Sequence, residues 1–403
     1  MILIMPFKSS EDRIVSMNDI PKPVRVLSLF SGCGGLDLGF EGNFRVKKVC
    51  VNTFLHPTWA QNCEDDSCYL LPKNNFNTVF ANDILKAARN AWVPYFMKHG
   101  YYGDEYQLKS IVELVKEHRI KGGGVFPDAD VVTGGFPCQD FSIAGKRLGF
   151  TSHKSHNGVL LTEKDDPTEE NRGKLYMWMR EVIDIVKPKV FIAENVKGLV
   201  SLKNVKQTIE NDFRNIGAGY IVADAKVLFA PDYGVPQTRE RVIFIGFRRD
   251  VLNKKLLSTS IRESLVNSFD PYPQITHGIG GSNLSPYVTL SHVLSDLPEP
   301  EFSSDLSQRA YSKAKWYGKH CQGQTEVNLS KLGPTIRAEH HGNIEFRRLS
   351  IEHGGTHFGE INNGMIERRL SVRECARIQT FPDDYEFVRS EERRVGKECT
   401  IQC

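Results

Sequence analysis

A cysteine that follows a proline in a loop is placed to react rather than to pack. Cys138 stands in such a run, Gly134-Gly135-Phe136-Pro137-Cys138-Gln139-Asp140-Phe141-Ser142. Its thiolate would attack an electrophilic carbon, helped by a nearby cation or helix N-terminus. Taken alone, the same segment also fits a buried structural thiol. Ala193-Glu194-Asn195-Val196 offers a carboxyl group at the end of an apolar run. Burial there can keep it protonated and able to donate to a ring nitrogen, while helix capping or an ion pair is the plainer alternative. In Tyr233-Gly234-Val235-Pro236-Gln237-Thr238-Arg239-Glu240-Arg241, two arginines alternate. On a strand both point to one face, where they suit a carbonyl oxygen, a phosphate or a carboxylate; a solvated edge reads the same way. Phe30-Ser31-Gly32-Cys33-Gly34-Gly35 lets the backbone approach a ligand and reach positive φ, as nucleotide cradles do, or simply turns the chain tightly.

These groups need a frame. Val24 to Leu29 is a short apolar run that breaks into the glycine turn and resumes as Leu36-Asp37-Leu38-Gly39-Phe40, a strand–turn–helix pattern. Strand-like runs recur at 129–133, 190–193 and 241–246, with helical periodicity at 110–119 and 174–186 between them. The alternation predicts an α/β fold with helices on both faces of the sheet and ligands beyond the carboxyl ends of the strands. From 251 to 331 the text is rich in Ser, Pro, Gly, Tyr and His with poor periodicity, which reads as a smaller, irregular domain. Helix character returns at 371–379 and stops at Phe381-Pro382.

The 403 residues are 40% hydrophobic and 25% charged, an ordinary globular composition. No apolar run approaches the roughly 20 residues that cross a bilayer, and the first residues do not read as a secretory signal, so a cytoplasmic protein is expected. A net charge of +3, from 52 basic and 49 acidic residues, neither demands nor excludes nucleic acid. Nine cysteines, an odd number, read as reduced thiols rather than a disulfide framework. Cys63 and Cys68 with His56 are too loosely spaced for zinc, and no second pair follows.

Glycine turn, Pro-Cys, Glu-Asn-Val, Gln-Thr-Arg-Glu-Arg and Arg368-Arg369-Leu370-Ser371-Val372-Arg373-Glu374-Cys375-Ala376-Arg377 follow one another in a single order. That order resembles the cytosine-carbon-5 DNA methyltransferase family of bacterial restriction–modification systems, from Val24 to Phe387. The resemblance implies a Rossmann-like, S-adenosylmethionine-dependent methyltransferase fold with a mixed sheet, a catalytic domain over 1–250 and target recognition over 251–388. It implies Cys138 as nucleophile, Glu194 at the cytosine ring nitrogen, Arg241 at the carbonyl oxygen on carbon 2, and Arg239 steadying the carboxylate. Phe30, Ser31, Gly32, Cys33, Gly34, Gly35, Phe54, Asp83, Ile84, Pro137 and Leu175 would line the pocket for S-adenosylmethionine, which leaves as S-adenosylhomocysteine. No metal is implied. The expected partner is double-stranded DNA with its target base flipped out, the enzyme a monomer, and the companion restriction endonuclease a separate chain.

The chain also departs from the pattern. Ser28 stands where the family usually has an acid, and Thr53 falls near the acid that normally holds the ribose hydroxyls. Residues 389–403 look like the in-frame translation of a sequencing adapter, and the family's closing Gly-Asn-X-Val segment is missing. A non-native tail is therefore expected there. The alternatives are a family member that binds DNA without turnover, a nicotinamide-dependent dehydrogenase on the same glycine turn, and a cysteine hydrolase. The dehydrogenase leaves Gln-Thr-Arg-Glu-Arg unexplained, and the hydrolase needs an activating histidine.

Overall fold

A computed structural model describes residues 22–137, 175–202, 204–217, 219–252, 270–318, 324–336 and 345–387. Cys138 and the expected tail at 389–403 lie outside the described residues. Strand β1, Val24–Leu29, is buried on both faces: Val26 and Leu27 are each 0% exposed. Its neighbours are β5 (Phe76–Asp83) and β7 (Val131–Gly135), both parallel to it. Beyond β5 lies β6 (Tyr106–Leu108), and beyond β7 lies β8 (Val190–Val196), again parallel. Then β11 (Glu240–Arg248) runs antiparallel to β8 and carries β10 (Lys226–Phe229) and β9 (Tyr220–Val222) at the edge. Among the described residues the sheet order is β10-β11-β8-β7-β1-β5-β6. The chain moves outward from β1 through β5 and β6, then resumes on the other side of β1 with β7. Such a reversal opens a crevice at the carboxyl ends of the strands, where ligands gather.

Alternation along β1 serves two cores. Leu27 and Leu29 join α3 (Ile111–Lys121), α4 (Leu175–Val186) and α5 (Val205–Arg214) on one face, while Val26 meets Phe40, Val131 and Ile243 on the other. Helix α4 buries Leu175, Trp178, Met179, Val182 and Ile183, the three- and four-residue spacing of one helical stripe. Each such side chain contributes about 1.5–3 kcal/mol. Helix α3 starts at a capping box of Ser110 with Glu113 and ends at left-handed Gly122. α1 (Gly35–Glu41) follows β1, and α2 (Lys86–Lys98) follows β5. Segment Arg45–Lys47 (β2) leaves the main sheet and pairs with β4 (Cys68–Leu70), which also pairs β3 (Gln61–Asn62).

Beyond 251 the described chain is irregular, with short helices α6 (Leu290–Leu294), α7 (Leu306–Arg309), α8 (Phe358–Asn362) and α9 (Val372–Ile378) and a two-stranded pair of β12 (Phe346–Arg348) with β13 (Arg368–Arg369). A further apolar cluster joins this part to the first: Trp92, Tyr95 and Phe96 of α2 pack in it with Leu290, Ile378, Phe381 and Tyr385. The Arg-Glu-Cys helix is held electrostatically. Glu374 completes a capping box with Ser371 and accepts two hydrogen bonds from Arg368, both at 2.9 Å. Arg368 also donates to Glu299, which Arg348 shares.

Arg368 and Glu374 side chains are 1% and 2% exposed, so removing Glu374 leaves the buried Arg368 with only Glu299 as counter-charge. Glu374→Ala is expected to cost about 3–5 kcal/mol of unfolding free energy, read as a lowered denaturant midpoint. A midpoint matching the parent's would mean that the pair contributes nothing net. The same cluster sets acid sensitivity. Burial disfavours the Glu299 carboxylate, but hydrogen bonds from Arg368 and Arg348 outweigh it and hold the group down at about 2, against an ordinary 4.5. Its contribution is therefore complete above the ordinary value and fades as pH falls toward 2.

Candidate active site

The described parts of the expected functional segments meet along one rim, where the parallel strands end and the antiparallel β11 begins. The turn after β1 begins with Phe30 at φ 52° and passes through Gly32 and Gly34 at 54° and 82°. A β-carbon at Gly34 would stand 2.5 Å from Trp92 Cδ1, so glycine alone fits. Asp83, the last residue of β5, accepts from Gly32 N–H (3.1 Å) on one oxygen and from Leu85 N–H (2.9 Å) on the other. Burial raises its carboxyl above the ordinary range in spite of those backbone donors. Asn82 fixes the same turn, its side chain accepting from Phe30 N–H (3.3 Å) and its carbonyl from Ser31 N–H (2.8 Å). Tyr106 on β6 donates to Gly32 O (2.8 Å).

Beneath the turn lies Asp37, which the sequence reading left without a role. It is 0% exposed and accepts from Trp92 Nε1 at 2.8 Å. Burial pushes its carboxyl up to about 6, against hydrogen bonds from Ser28 and Trp92. Cys33 is buried and its carbonyl accepts from the Tyr385 hydroxyl. Ile84 is 48% exposed beside the turn. Phe54 stands on a different loop, its N–H held by Asn52 Oδ1 (3.1 Å) and its ring 71% exposed. Leu175 opens α4 inside the main core.

On the other side of β1, Gly135 pairs with Glu194 in the β7–β8 register. A β-carbon on Gly135 would sit 3.2 Å from Glu194 Oε2. Glu194, Asn195 and Val196 belong to β8 itself rather than to the loop after it, a difference from the sequence reading. Pairing with β11 extends the strand past its apolar run. Asn195 is 0% exposed and donates to Phe136 O (3.1 Å), fixing the loop that continues to Pro137.

In the antiparallel β8–β11 register Ile243 faces Glu194, so Arg241 and Arg239, two and four residues back, point to the same side. Arg241 Nε lies 2.6 Å from Glu194 Oε1, and Arg239 reaches the same oxygen at 3.6 Å. Side-chain exposures of 17% for Glu194, 13% for Arg241 and 3% for Arg239 make this a largely desolvated carboxylate–guanidinium cluster. Glu240 between the arginines turns away to Lys197 (2.6 Å). The loop entering β11 is anchored by Gln237, 1% exposed, whose side chain accepts from Ile336 N–H (3.0 Å). Gly333 closes it from the other side: its N–H donates to Pro236 O, and its carbonyl accepts from Thr238 N–H (2.8 Å).

The rim thus carries a carboxylate clamped by two arginines next to the strand end that leads to Pro137. It also carries a glycine turn with a second carboxylate, Asp83. A carboxylate has about four lone-pair sites, so Asp83 keeps acceptor capacity for an amine beyond its two backbone donors. The side chain of Ile84 lies beside it, 48% exposed. A mixed, mostly parallel sheet with a glycine turn after its first strand and an antiparallel strand toward one edge is the Rossmann-like methyltransferase fold.

The family model of C-5 cytosine-specific DNA methylases matches residues 24–399. The type II methyltransferase M.BspRI of Lysinibacillus sphaericus is 34% identical over 371 residues, covering 90% of this chain and 72% of that protein. M.BsuRI of Bacillus subtilis is 33% identical with 90% and 70% covered. M.NgoFVII of Neisseria gonorrhoeae is 31% identical with 94% and 83% covered. The chain belongs to the C-5 cytosine-specific DNA methylase family and is a DNA cytosine-5 methyltransferase. Among the described residues no helix is long and apolar enough to cross a membrane.

Proposed function

We propose that this enzyme methylates carbon 5 of a cytosine flipped out of a specific duplex sequence, as the methyltransferase of a type II restriction–modification system, with Cys138 as nucleophile. The observation that supports this reading best is the Glu194 carboxyl clamped at 2.6 Å by Arg241, beside the strand that leads to Pro137 and Cys138. A stacked base hides both faces of its ring, so the target must leave the stack to be attacked. The Cys138 thiolate adds to carbon 6, forming a carbon–sulfur bond and moving ring electrons toward nitrogen 3 and carbon 5. Glu194 holds a proton at nitrogen 3 and offsets the charge that develops there. Arg241 donates to the carbonyl oxygen on carbon 2, and Arg239 fixes the carboxyl in place. S-adenosylmethionine, when bound, supplies a sulfonium methyl group that carbon 5 accepts. Loss of the carbon-5 proton and departure of Cys138 then restore the aromatic ring. Asp83, Ile84, Phe30, Phe54, Pro137 and Leu175 are the residues assigned to hold that cofactor, with residues 30–35 curving around it. Residues 251–388 are assigned to target recognition, and the enzyme acts as a monomer beside a separately encoded endonuclease.

Fluorine at carbon 5 cannot leave as a proton does, so a 5-fluorocytosine duplex traps the enzyme after addition. A pool of such duplexes is expected to give a protein–DNA band stable to denaturation, and only with S-adenosylmethionine present. Retention of duplex in a native gel without any such band would identify a family member that binds DNA without turnover. A band formed equally well without cofactor would exclude this mechanism.

A further inference from the structure

Asn52 lies on the loop that carries Thr53 and Phe54, is 3% exposed, and uses its whole side-chain amide. Its Oδ1 accepts from Phe54 N–H and Leu55 N–H, both at 3.1 Å, which folds the loop on itself. Its Nδ2 donates to Thr276 O and Asn283 O, both at 2.7 Å, more than two hundred residues away. Those two carbonyls belong to one closed loop, in which Gly278 N–H donates to Ser285 O (2.9 Å) and Ser285 N–H to Thr276 O (3.0 Å). Two further contacts hold the same junction. His277, 0% exposed, lies 3.3 Å from Val49 O through Nε2, and Asp232 O accepts from the N–H groups of Thr276 (2.8 Å) and His277 (2.9 Å). Asp232 belongs to the turn that leads into Arg239 and Arg241, and a β-carbon on Gly234 of that turn would stand 2.2 Å from Cys50 O. The Asn52 loop and the 276–285 loop therefore meet at one amide, with the arm that bears both arginines packed against each of them.

We propose that Asn52 is a positioning residue that couples occupancy of the cofactor pocket to the order of the 276–285 loop. The coupling rests on the assignment of Phe54 to the cofactor and of residues beyond 250 to target recognition. A ligand that stills Phe54 stills Asn52 through two N–H bonds, and Asn52 passes that order to both strands of the distant loop through the other two. A protein loaded with cofactor thus presents a better-ordered recognition loop to DNA, and duplex binding tightens cofactor binding by the same factor.

Amide hydrogen exchange with and without S-adenosylhomocysteine tests this directly. In the unaltered protein the ligand is expected to slow exchange at 53–55 and, on the order of five- to tenfold, at 276–285. Asn52→Asp keeps the acceptor for Phe54 and Leu55 but loses both donors. In that variant protection is expected to persist at 53–55 and to fall at 276–285. Protection at 53–55 without any at 276–285 in the unaltered protein would overturn the coupling, a result that depends on no variant folding. No protection at 53–55 would instead bring down the assignment of Phe54 to the cofactor, and the coupling with it. Undiminished protection at 276–285 in Asn52→Asp would remove Asn52 from the path.

Discussion

Cys138→Ala is expected to abolish methyl incorporation from labelled S-adenosylmethionine into duplex DNA and to abolish the 5-fluorocytosine adduct, while duplex is still retained in a native gel. Every turnover in the proposed mechanism passes through the bond this sulfur makes with carbon 6, so no partial rate remains when it is gone. Of the five described thiols, Cys63 donates to Asp65 O (3.4 Å) and Cys68 O (3.5 Å), and the other four are buried or have their thiol pKa raised. Cys33 lies in the glycine turn but is 4% exposed within an apolar cluster, and Cys375 is equally buried in the Arg-Glu-Cys helix. Cys50 and Cys68 have their thiols pushed up to about 12 and about 11, chiefly by burial, which leaves little thiolate at neutral pH. Alanine is smaller than cysteine and creates no clash, so loss of activity with retained DNA binding separates chemistry from folding. Incorporation at the parent rate would exclude Cys138 as nucleophile and end the addition–elimination reading.

Glu194→Gln is expected to lower the turnover number by about 10²–10⁴, the usual worth of a placed acid or base. The amide keeps the size of the carboxyl and can still accept from Arg241, but it cannot hold a proton for nitrogen 3. It also leaves Arg239 and Arg241 without their shared counter-charge, and the two effects must be told apart. A merely structural carboxylate predicts a lowered melting temperature with turnover falling only as the folded fraction falls. An acid role predicts lost turnover well below the melting transition, where the folded fraction matches the parent's. Full turnover in the folded variant would rule out the acid role.

Much of the frame was legible in the sequence, since apolar runs bounded by glycine mark buried strands. The expected strand at 24–29 coincides with β1, and the runs at 129–133, 190–193 and 241–246 lie in or overlap β7, β8 and β11. Helix 371–379 appears as α9 with Ser371 and Gln379 as its caps. β5 escaped notice because polar residues break its pattern: Thr78 and Asn82 are 0% and 1% exposed, buried to hydrogen-bond Glu41 and the glycine turn rather than to face water. Helix α2 carries Pro94 in its interior, a residue that reads as a helix breaker. The alternation of Arg239 and Arg241 correctly implied a shared face, whereas their common target was visible only once β8 and β11 were paired. Asn52 and Asp37 escaped notice because the partners that tie them across the fold, Thr276, Asn283 and Trp92, lie tens to hundreds of residues away.

The bonds from Gln237 and Thr238 to Gly333 and Ile336 carry a consequence for exchanging sequence preference between relatives. They fasten the arm bearing both arginines to a short stretch inside the part of the chain proposed for target recognition. A transplanted recognition segment that replaced this stretch would read its new site yet misalign the guanidinium groups, giving a chimera that binds faithfully and turns over slowly. Cut points that leave 333–336 with the host arm keep the two properties separable, so preference can drift while the chemistry stays in register.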